Sequence, residues 1–355
     1  MRPQIRRTVR LWESSDYTFP QARFSDLVSL ALQQMPALQS LDLRFHTRGA
    51  LWGLLHGIPR IRHEIQLSRI FPRLQCLRVR PFNEDEEELE GLLLETMEAY
   101  LGLPRIAEIS MQNIVFHAAS KQNLAPHKAT SLRMLVLKEC QLEPESVAEF
   151  IKASPQLRKL ECSIMINAKH ASGWYDIGLI RDTLAVLQQT LEHLQISIIL
   201  FTSTAIDIGN PGPWGIRASL GDSLRLFSKL RKLEISLPVL LGWNPDGSAK
   251  LADILPDCLE ELVIGREMDL WYGYKWDDQS AWGFDAADCL AGSAVSHAEL
   301  KVRQYLQSKP TGLRKVTIIM EDGLSEDDDM RFKNSITQEA EKVGVDVEFN
   351  EDSSA

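Results

Sequence analysis

The sequence has few cysteines and no apolar segment long enough for a membrane span. Its strongest apolar segment, residues 196–201, has the length of a strand, whereas a spanning helix needs about 20 apolar residues. Five cysteines in 355 residues, an odd and sparse set, indicate free thiols in a reducing compartment. No apolar signal segment follows the N-terminal arginines, and no Asn-x-Ser/Thr acceptor occurs. We therefore expect a cytoplasmic or nuclear protein that does not bind membranes.

Motifs that carry local catalytic chemistry are also missing. The chain contains no G-x-G-x-x-G, Walker A, G-x-S-x-G, H-E-x-x-H or C-x-x-C pattern. His56 and His63 have no cysteine nearby, and the three aspartates at 327–329 suit an exposed acidic turn better than a cation site. We expect no catalytic residue, no metal site and no cofactor, although a triad assembled from distant residues would leave no local mark.

Charge is unevenly distributed along the chain. The formal net charge is -10, yet residues 1–80 contain thirteen arginines, no lysine and five acidic residues. An acidic chain is a poor ligand for nucleic acid, because contacts with phosphate dominate that affinity. We therefore expect no nucleic-acid partner, and the arginine-rich N-terminal part is a local exception to the acidic average.

A leucine pattern recurs along most of the chain. Nine segments read x-Leu-x-x-Leu-x-Leu or a close variant, often with a proline two residues ahead, and Val9 with Leu11 looks like half of a tenth. The first apolar positions of the nine copies are residues 38, 74, 106, 132, 157, 191, 230, 259 and 313. The shortest intervals, 26 and 25 residues, fall within the range of about 20–29 residues that is typical of leucine-rich repeats.

One copy matches the repeat consensus in full. Leu132, Leu135, Leu137, Cys140 and Leu142 form L-x-x-L-x-L-x-x-C-x-L without a gap. On these residues the chain resembles the irregular leucine-rich-repeat proteins of fungi, many of which are F-box substrate receptors. The resemblance covers roughly residues 5–349. It implies an α/β leucine-rich-repeat solenoid of about nine to ten repeats, a single domain over 1–349, with a curved parallel sheet, helices on the convex side and a flexible acidic tail at 350–355.

Apolar residues three and four apart predict helices between the strands. Such faces occur at 24–35, 89–100, 147–151 and 177–187, and a helix at 335–343 precedes a strand at 345–349. Pro144 suits the first turn of the third helix, since the N–H that proline lacks would have no partner there.

Within the strands, alternation predicts leucines in the core and the intervening residues facing outward. The leucines expected to form one buried row are Leu41, Leu77, Leu135, Leu160, Leu194, Leu233 and Leu262. Four cysteines also lie in or beside these strands, where a small thiol packs well; they are Cys76, Cys140, Cys162 and Cys258.

Alternation in the N-terminal strands also predicts a column of outward-facing arginines on the concave face. Its members are Arg10, Arg44, Arg78 and Arg80. Because neighbouring strands lie about 4.8 Å apart, these guanidinium groups would be close together and would suit an acidic peptide or a phosphate group. The alternative is that nearby acids, such as Asp42 and Glu108, neutralise the column.

Tryptophan and tyrosine are concentrated in long insertions that follow the strands. The residues that we expect to contact a partner there are Trp174, Trp214, Trp243, Trp271, Tyr272, Tyr274, Trp276 and Trp282. Insertions of a solenoid emerge on one edge, often the binding edge, and tryptophan is enriched among the residues that dominate interfaces. The alternative is that the rings fold down and cover the core.

The leading hypothesis is a non-catalytic protein–protein interaction module. The resemblance implies substrate recognition for a ubiquitin ligase. We expect a protein or peptide partner, and the column of arginines suits one that is acidic or phosphorylated. An F-box would be a helical segment of about 40 residues that opens with a Leu-Pro-x-Glu-like motif. Nothing of this kind precedes Val9, so we expect either a repeat-only relative or a gene model that begins late, and no binding of this chain to the ligase's adaptor subunit.

Two other functions stay open at this point. One is a structural scaffold unrelated to ubiquitin, and the other, less favoured, is a ligand-binding or catalytic protein that uses the aromatic edge. The sequence leaves the oligomeric state open.

Overall fold

The computed structural model divides the chain into two compact units, Met1–Ile164 and Met165–Ala355. The residues it describes are 8–11, 35–45, 71–81, 90–93, 100–117, 130–167, 173–201, 214–242, 248–265, 297–320 and 326–351. A single domain over 1–349 stays a prediction.

The first unit is built on parallel strands that pair in chain order. The strands are β1 (Thr8–Leu11), β2 (Ser40–Phe45), β3 (Cys76–Pro81), β4 (Glu90–Leu93), β5 (Glu108–Gln112), β6 (Ile114–His117), β7 (Met134–Cys140) and β8 (Lys159–Asn167). The main sheet has the order β1-β2-β3-β5-β7-β8, and β4 pairs with β6 in a separate ribbon.

The second unit repeats this arrangement. Its strands are β9 (Gly173–Asp176), β10 (His193–Phe201), β11 (Trp214–Arg217), β12 (Lys232–Ile235), β13 (Glu261–Ile264), β14 (Lys315–Met320) and β15 (Asp346–Glu351). Strands β10-β12-β13-β14-β15 pair in parallel in this order, and β9 pairs with β11.

Helices fall between the strands, which gives the α/β class expected from the sequence. They are α1 (Pro144–Ala153), α2 (Ile177–Leu184) with a following 3₁₀ turn (Ala185–Leu187), α3 (Gly221–Leu224), α4 (Leu237–Leu241), α5 (Leu251–Ile254), α6 (297–307) and α7 (Glu326–Val343). Among the described residues, none of these helices combines the length and the apolar character that crossing a membrane requires.

The strands form where leucine alternates with polar residues, and the leucines fill the core. The seven leucines predicted to form a buried row, Leu41, Leu77, Leu135, Leu160, Leu194, Leu233 and Leu262, are all 0% exposed. In the first unit Leu41 aligns with Leu77 and Leu135 aligns with Leu160. In the second unit Leu194, Leu233 and Leu262 align across three strands. The predicted buried row is therefore confirmed within each unit.

The prolines ahead of several strands have a local role. The Leu38 N–H donates to the Met35 carbonyl at 3.0 Å, and the Leu74 N–H donates to the Phe71 carbonyl at 3.3 Å, each closing a four-residue turn. Proline occupies the second position of both turns, where its fixed φ is favourable. The turn delivers the following leucine to the core immediately before the strand begins.

Three of the predicted helices are confirmed, namely α1, α2 and the helix at 335–343, which lies within α7. Of the predicted face at 24–35, all but the last residue lie outside the described residues. Helix α1 begins at Pro144 and buries Val147, Phe150 and Ile151. The Phe150 ring packs edge-on against Phe116, with 5.5 Å between centroids. The N-terminus of α1 has no side-chain cap, and the packing of its apolar face contributes to holding the helix in place.

Helix α2 is the second confirmed case. It begins after Asp176, whose side chain accepts the Gly178 N–H at 2.9 Å as an N-cap. Its apolar face is buried, and the following 3₁₀ turn adds Leu187 to the same face.

Three expectations from the sequence are corrected by the structure. Residues 90–93, expected within a helix at 89–100, form strand β4, because Glu90 aligns with Ile114 of β6. The aspartates at 327–329, expected in a turn, lie in the first turns of α7, and Asp329 accepts from Lys333 at 2.7 Å. Strand β15 extends to Glu351, two residues into the predicted flexible tail, because it pairs with β14 along its whole length.

Candidate functional site

The outward face of each unit, opposite the buried leucine row, carries most of the charged side chains of the strands. In the first unit it includes Asp42 and Arg44 on β2, Arg78 and Arg80 on β3, and Glu108 on β5. Asp42 aligns with Arg78, and Arg44 aligns with Arg80. The predicted proximity of the arginines along the strands is therefore present in the backbone register.

Arg78 is neutralised by the neighbouring strand. Its Nε and Nη2 donate to Oε1 of Glu108 at 3.0 and 2.7 Å, and this hydrogen bonding raises the pKa of the guanidinium further. The Arg78 side chain is 49% exposed, so the pair lies at the solvent boundary. For Arg78 the structure shows the neutralised arrangement.

Arg80 is also paired, but with a carboxylate that is almost fully covered. Its Nη2 donates to Oδ2 of Asp42 at 3.0 Å, and Asp42 is only 4% exposed. The other carboxylate oxygen, Oδ1, and the Arg80 Nε are buried without a hydrogen-bond partner among the described residues. The ion pair is therefore formed, but the hydrogen-bonding capacity of its two buried atoms is not used within the described residues.

Neither of these two ion pairs involves Arg44. No acidic residue within the described part of the chain forms an ion pair with it, and its Nε is buried without an acceptor. The side chain as a whole keeps part of its surface in solvent. Arg10 of β1 aligns with Asp42 through its backbone, and its side chain lies outside the described residues.

The outward face of the second unit is charged in a different way. Lys232 lies 3.5 Å from Glu261 on the next strand, and Lys315 lies 2.7 Å from Glu348. Hydrogen bonding to Glu348 raises the pKa of Lys315. Basic and acidic residues thus alternate between neighbouring strands and neutralise one another.

The same alternation continues where the strands of the second unit begin. Glu260, directly ahead of β13, forms an ion pair with Arg231 on one side and lies 3.5 Å from Arg314 on the other. Both arginine side chains are largely exposed, at 63% and 78%. The basic members of this row therefore lie in solvent, whereas Glu260 is only 25% exposed.

The cysteines pack in or beside strands, as predicted. Cys140 and Cys162 are buried, and burial raises the pKa of the Cys140 thiol to about 12 and that of Cys162 in the same direction. Burial, followed by the charge of Glu108, also raises the pKa of Cys76. Because the thiolate is the nucleophile, these three thiols are held in their unreactive form.

A metal centre has no counterpart in the described structure. Among the residues that it covers, no three His, Cys, Asp or Glu side chains come together as ligands would. His56 and His63 lie outside those residues.

The aromatic insertions are only partly covered by the structure. Trp174 lies on β9 and Trp214 on β11, and these strands pair so that Trp214 aligns with Gly173 and Gly215 with Trp174. The backbones of two insertions are therefore side by side. The other predicted contacts, Trp243, Trp271, Tyr272, Tyr274, Trp276 and Trp282, lie outside the described residues, as do the side chains of Trp174 and Trp214.

One buried charge has no signal in the sequence. Lys301 on α6 is 8% exposed, and its Nζ donates to the carbonyls of Ser248 at 2.9 Å and Ala249 at 3.3 Å. Desolvation lowers the pKa of this lysine. Since both acceptors are main-chain groups more than 50 residues away, only the tertiary structure brings them to Lys301.

Comparison with known proteins identifies no relative: no family model matches the chain, and no curated protein matches it.

Proposed function

We propose that the protein is a non-catalytic protein–protein interaction module built as an irregular leucine-rich-repeat solenoid. Parallel strands in chain order, aligned buried leucines and recurring turns ahead of the strands support this architecture. In such a solenoid the sheet would curve with helices on its convex side, and the outward face of the strands would be its concave side. The resemblance to F-box/LRR proteins makes recognition of a ubiquitin-ligase substrate the most concrete form of this function.

The observation that carries the proposal is the unbalanced charge on the outward face of the first unit. Arg44 has no acidic partner among the described residues, whereas Arg78 and Arg80 each have one. A partly accessible guanidinium aligned with a second one raises the local positive potential, which favours association with an acidic surface. The partner that fits is therefore a protein or peptide with acidic residues.

The test starts by placing a photo-cross-linking residue at Ser110, an outward position aligned with Arg78. The same residue at Leu226, which is 61% exposed and lies in a turn of the second unit, provides the control. A protein captured from Ser110 and not from Leu226 is then purified, and its binding to the full chain is titrated directly.

With that purified partner, we expect Arg78→Glu to raise the dissociation constant at least tenfold, since the substitution places a second carboxylate beside Glu108. Affinity should also fall as salt rises, because exposed charges are screened over about 8–10 Å. Arg225→Glu, in an exposed turn of the second unit, should change affinity less than twofold. Affinity indifferent both to salt and to Arg78→Glu would contradict the proposal for this face.

Recognition of a ubiquitin-ligase substrate is tested by a separate measurement. If the partner is a ubiquitin-ligase substrate, its half-life in cells should lengthen when this protein is removed. A partner that binds as described but keeps the same half-life would favour a scaffold instead.

A further inference from the structure

Arg44 on β2, Arg80 on β3 and Asp42 form a small group of charges on the outward face of the first unit. This inference rests on the interaction function proposed above and concerns the chemistry of the same face. Arg44 and Arg80 are aligned on neighbouring parallel strands, whose backbones lie about 4.8 Å apart. Asp42 contributes one carboxylate to this group, through its contact with Arg80.

Donor groups of both arginines lack acceptors. The Nε atoms of Arg44 and Arg80 are closed to solvent and have no hydrogen-bond partner in the part of the chain that the structure describes. Each side chain nevertheless keeps part of its surface accessible, which for Arg80 amounts to 32%. Both side chains are therefore partly covered and partly accessible, and Nη2 of Arg80 is held by Asp42.

The net charge of Arg44, Arg80 and Asp42 favours an anion that carries a single negative charge. Two guanidinium groups and one carboxylate leave a net charge of one positive unit, which a carboxylate balances and a phosphate dianion exceeds. A phosphate group would also bring a charge of roughly -1.5 to -2 next to the buried Asp42, which cannot move into solvent without losing Arg80. Geometry does not separate the two anions, because the two parallel N–H groups of a guanidinium match a carboxylate and a phosphate alike. The preference for a carboxylate therefore rests on the count of charges.

We propose that Arg44 and Arg80 form a binding site for one carboxylate, supplied by an aspartate or glutamate side chain of the protein partner. Asp42 sets the selectivity of the site by holding Arg80 and by repelling anions of higher charge. Arg78, already bound to Glu108 through two nitrogens, flanks the site and does not belong to it.

The full 355-residue chain, labelled with ¹⁵N at arginine, allows a direct test. The probes are acetate and inorganic phosphate at pH 7.5, titrated against chloride at constant ionic strength, with the arginine Nε–H signals as the readout. We expect acetate to shift the Arg44 and Arg80 signals saturably and phosphate to bind no more tightly than acetate. This measurement needs no variant beyond those that assign the signals.

Substitutions sharpen the test. Arg44→Gln should raise the acetate dissociation constant at least fivefold, and Arg225→Gln, remote in sequence and on the other unit, should leave it unchanged within twofold. Asp42→Asn should raise the affinity for phosphate at least fivefold, since it removes the repelling charge. Acetate shifts no larger than those of chloride, or phosphate binding tenfold tighter than acetate, would overturn the inference.

Failure of this inference is distinguishable from failure of the proposed function. If acetate does not bind but the cross-linked partner still loses affinity with Arg78→Glu, the carboxylate site is wrong and the interaction face stands. If neither effect is found, both proposals fall.

Discussion

The outward faces of the two units are built on the same strand geometry and differ in how completely their charges are paired. In the second unit each lysine faces a glutamate on the next strand, as in the pairs Lys232–Glu261 and Lys315–Glu348. In the first unit, arginine aligns with arginine across β2 and β3. Alternating charges satisfy each other within the chain, whereas aligned like charges favour an anion from outside. The buried rows are nearly the same, so the two units differ mainly in the residues that face outward.

The largest effect is expected for substitutions in the buried leucine rows. Leu135→Ala in the first unit and Leu233→Ala in the second should each lower the free energy of unfolding by about 2–5 kcal/mol, because both side chains are 0% exposed and leave a cavity. Denaturant unfolding followed by circular dichroism measures both. The outward substitution Ser110→Ala should cost less than about 0.5 kcal/mol.

A large difference between the losses at Leu135 and Leu233 would contradict the similarity of the two buried rows. If one truncation cost under about 1 kcal/mol, the two cores would differ in how tightly they pack, and the outward faces would no longer be the main distinction.

The sequence predicts the buried rows well because their signal is local. Leucine alternation marks the strands, and a period of three to four residues marks α1 and α2, so both could be read within a window of about ten residues. The aligned leucines follow from repetition of one short pattern. The part of the fold that each segment determines for itself was therefore predictable.

Contacts between distant segments account for what was missed. Residues 90–93 carry apolar spacing that suits a helix, yet they pair with β6, more than 20 residues away, and no local pattern announces this pairing. The choice of acid for each arginine is likewise set by tertiary structure. Asp42 aligns with Arg78 but binds Arg80, because Arg78 is taken by Glu108 thirty residues further along the chain. The sequence could therefore supply the column of arginines but not its state of neutralisation.

A second test concerns how deeply the charges of the first unit are embedded. Asp42→Asn should lower the free energy of unfolding by about 1–2 kcal/mol, since it removes a covered negative charge beside Arg80 and leaves two aligned arginines. We expect a smaller loss of unfolding free energy than for a fully buried ion pair, because the Arg80 side chain is one-third exposed. Thermal and denaturant unfolding at one pH measure the change.

Glu108→Gln is the matched control for Asp42→Asn. Its partner Arg78 is 49% exposed, so the loss should be under about 1 kcal/mol. Equal losses for the two variants would show that the depth of Asp42 has no energetic consequence.

The smallest effect is expected in the second unit, where the arginines that pair with Glu260 are largely exposed. Glu260→Gln removes the carboxylate that Arg231 and Arg314 share, and both arginines are more than 60% exposed. Exposed pairs contribute about 0.2–1 kcal/mol, and the gain is reduced by the conformational freedom that long side chains lose. We therefore expect Glu260→Gln to lower the free energy of unfolding by less than about 1 kcal/mol.

Salt dependence decides whether this small loss has the proposed origin. If it arises from screened Coulomb attraction, the difference between Glu260→Gln and the parent chain should shrink toward zero as ionic strength rises to about 1 M, where the screening length is about 3 Å. The Asp42→Asn difference should persist under the same conditions, because water and ions reach that covered carboxylate poorly. A Glu260 effect that stays constant with salt, or a loss at Glu260 larger than that at Asp42, would mean that the charges of the second unit are structural supports. In that case, the main effect of the alternating charges would be to stabilise the fold, and neutralising the surface would be secondary.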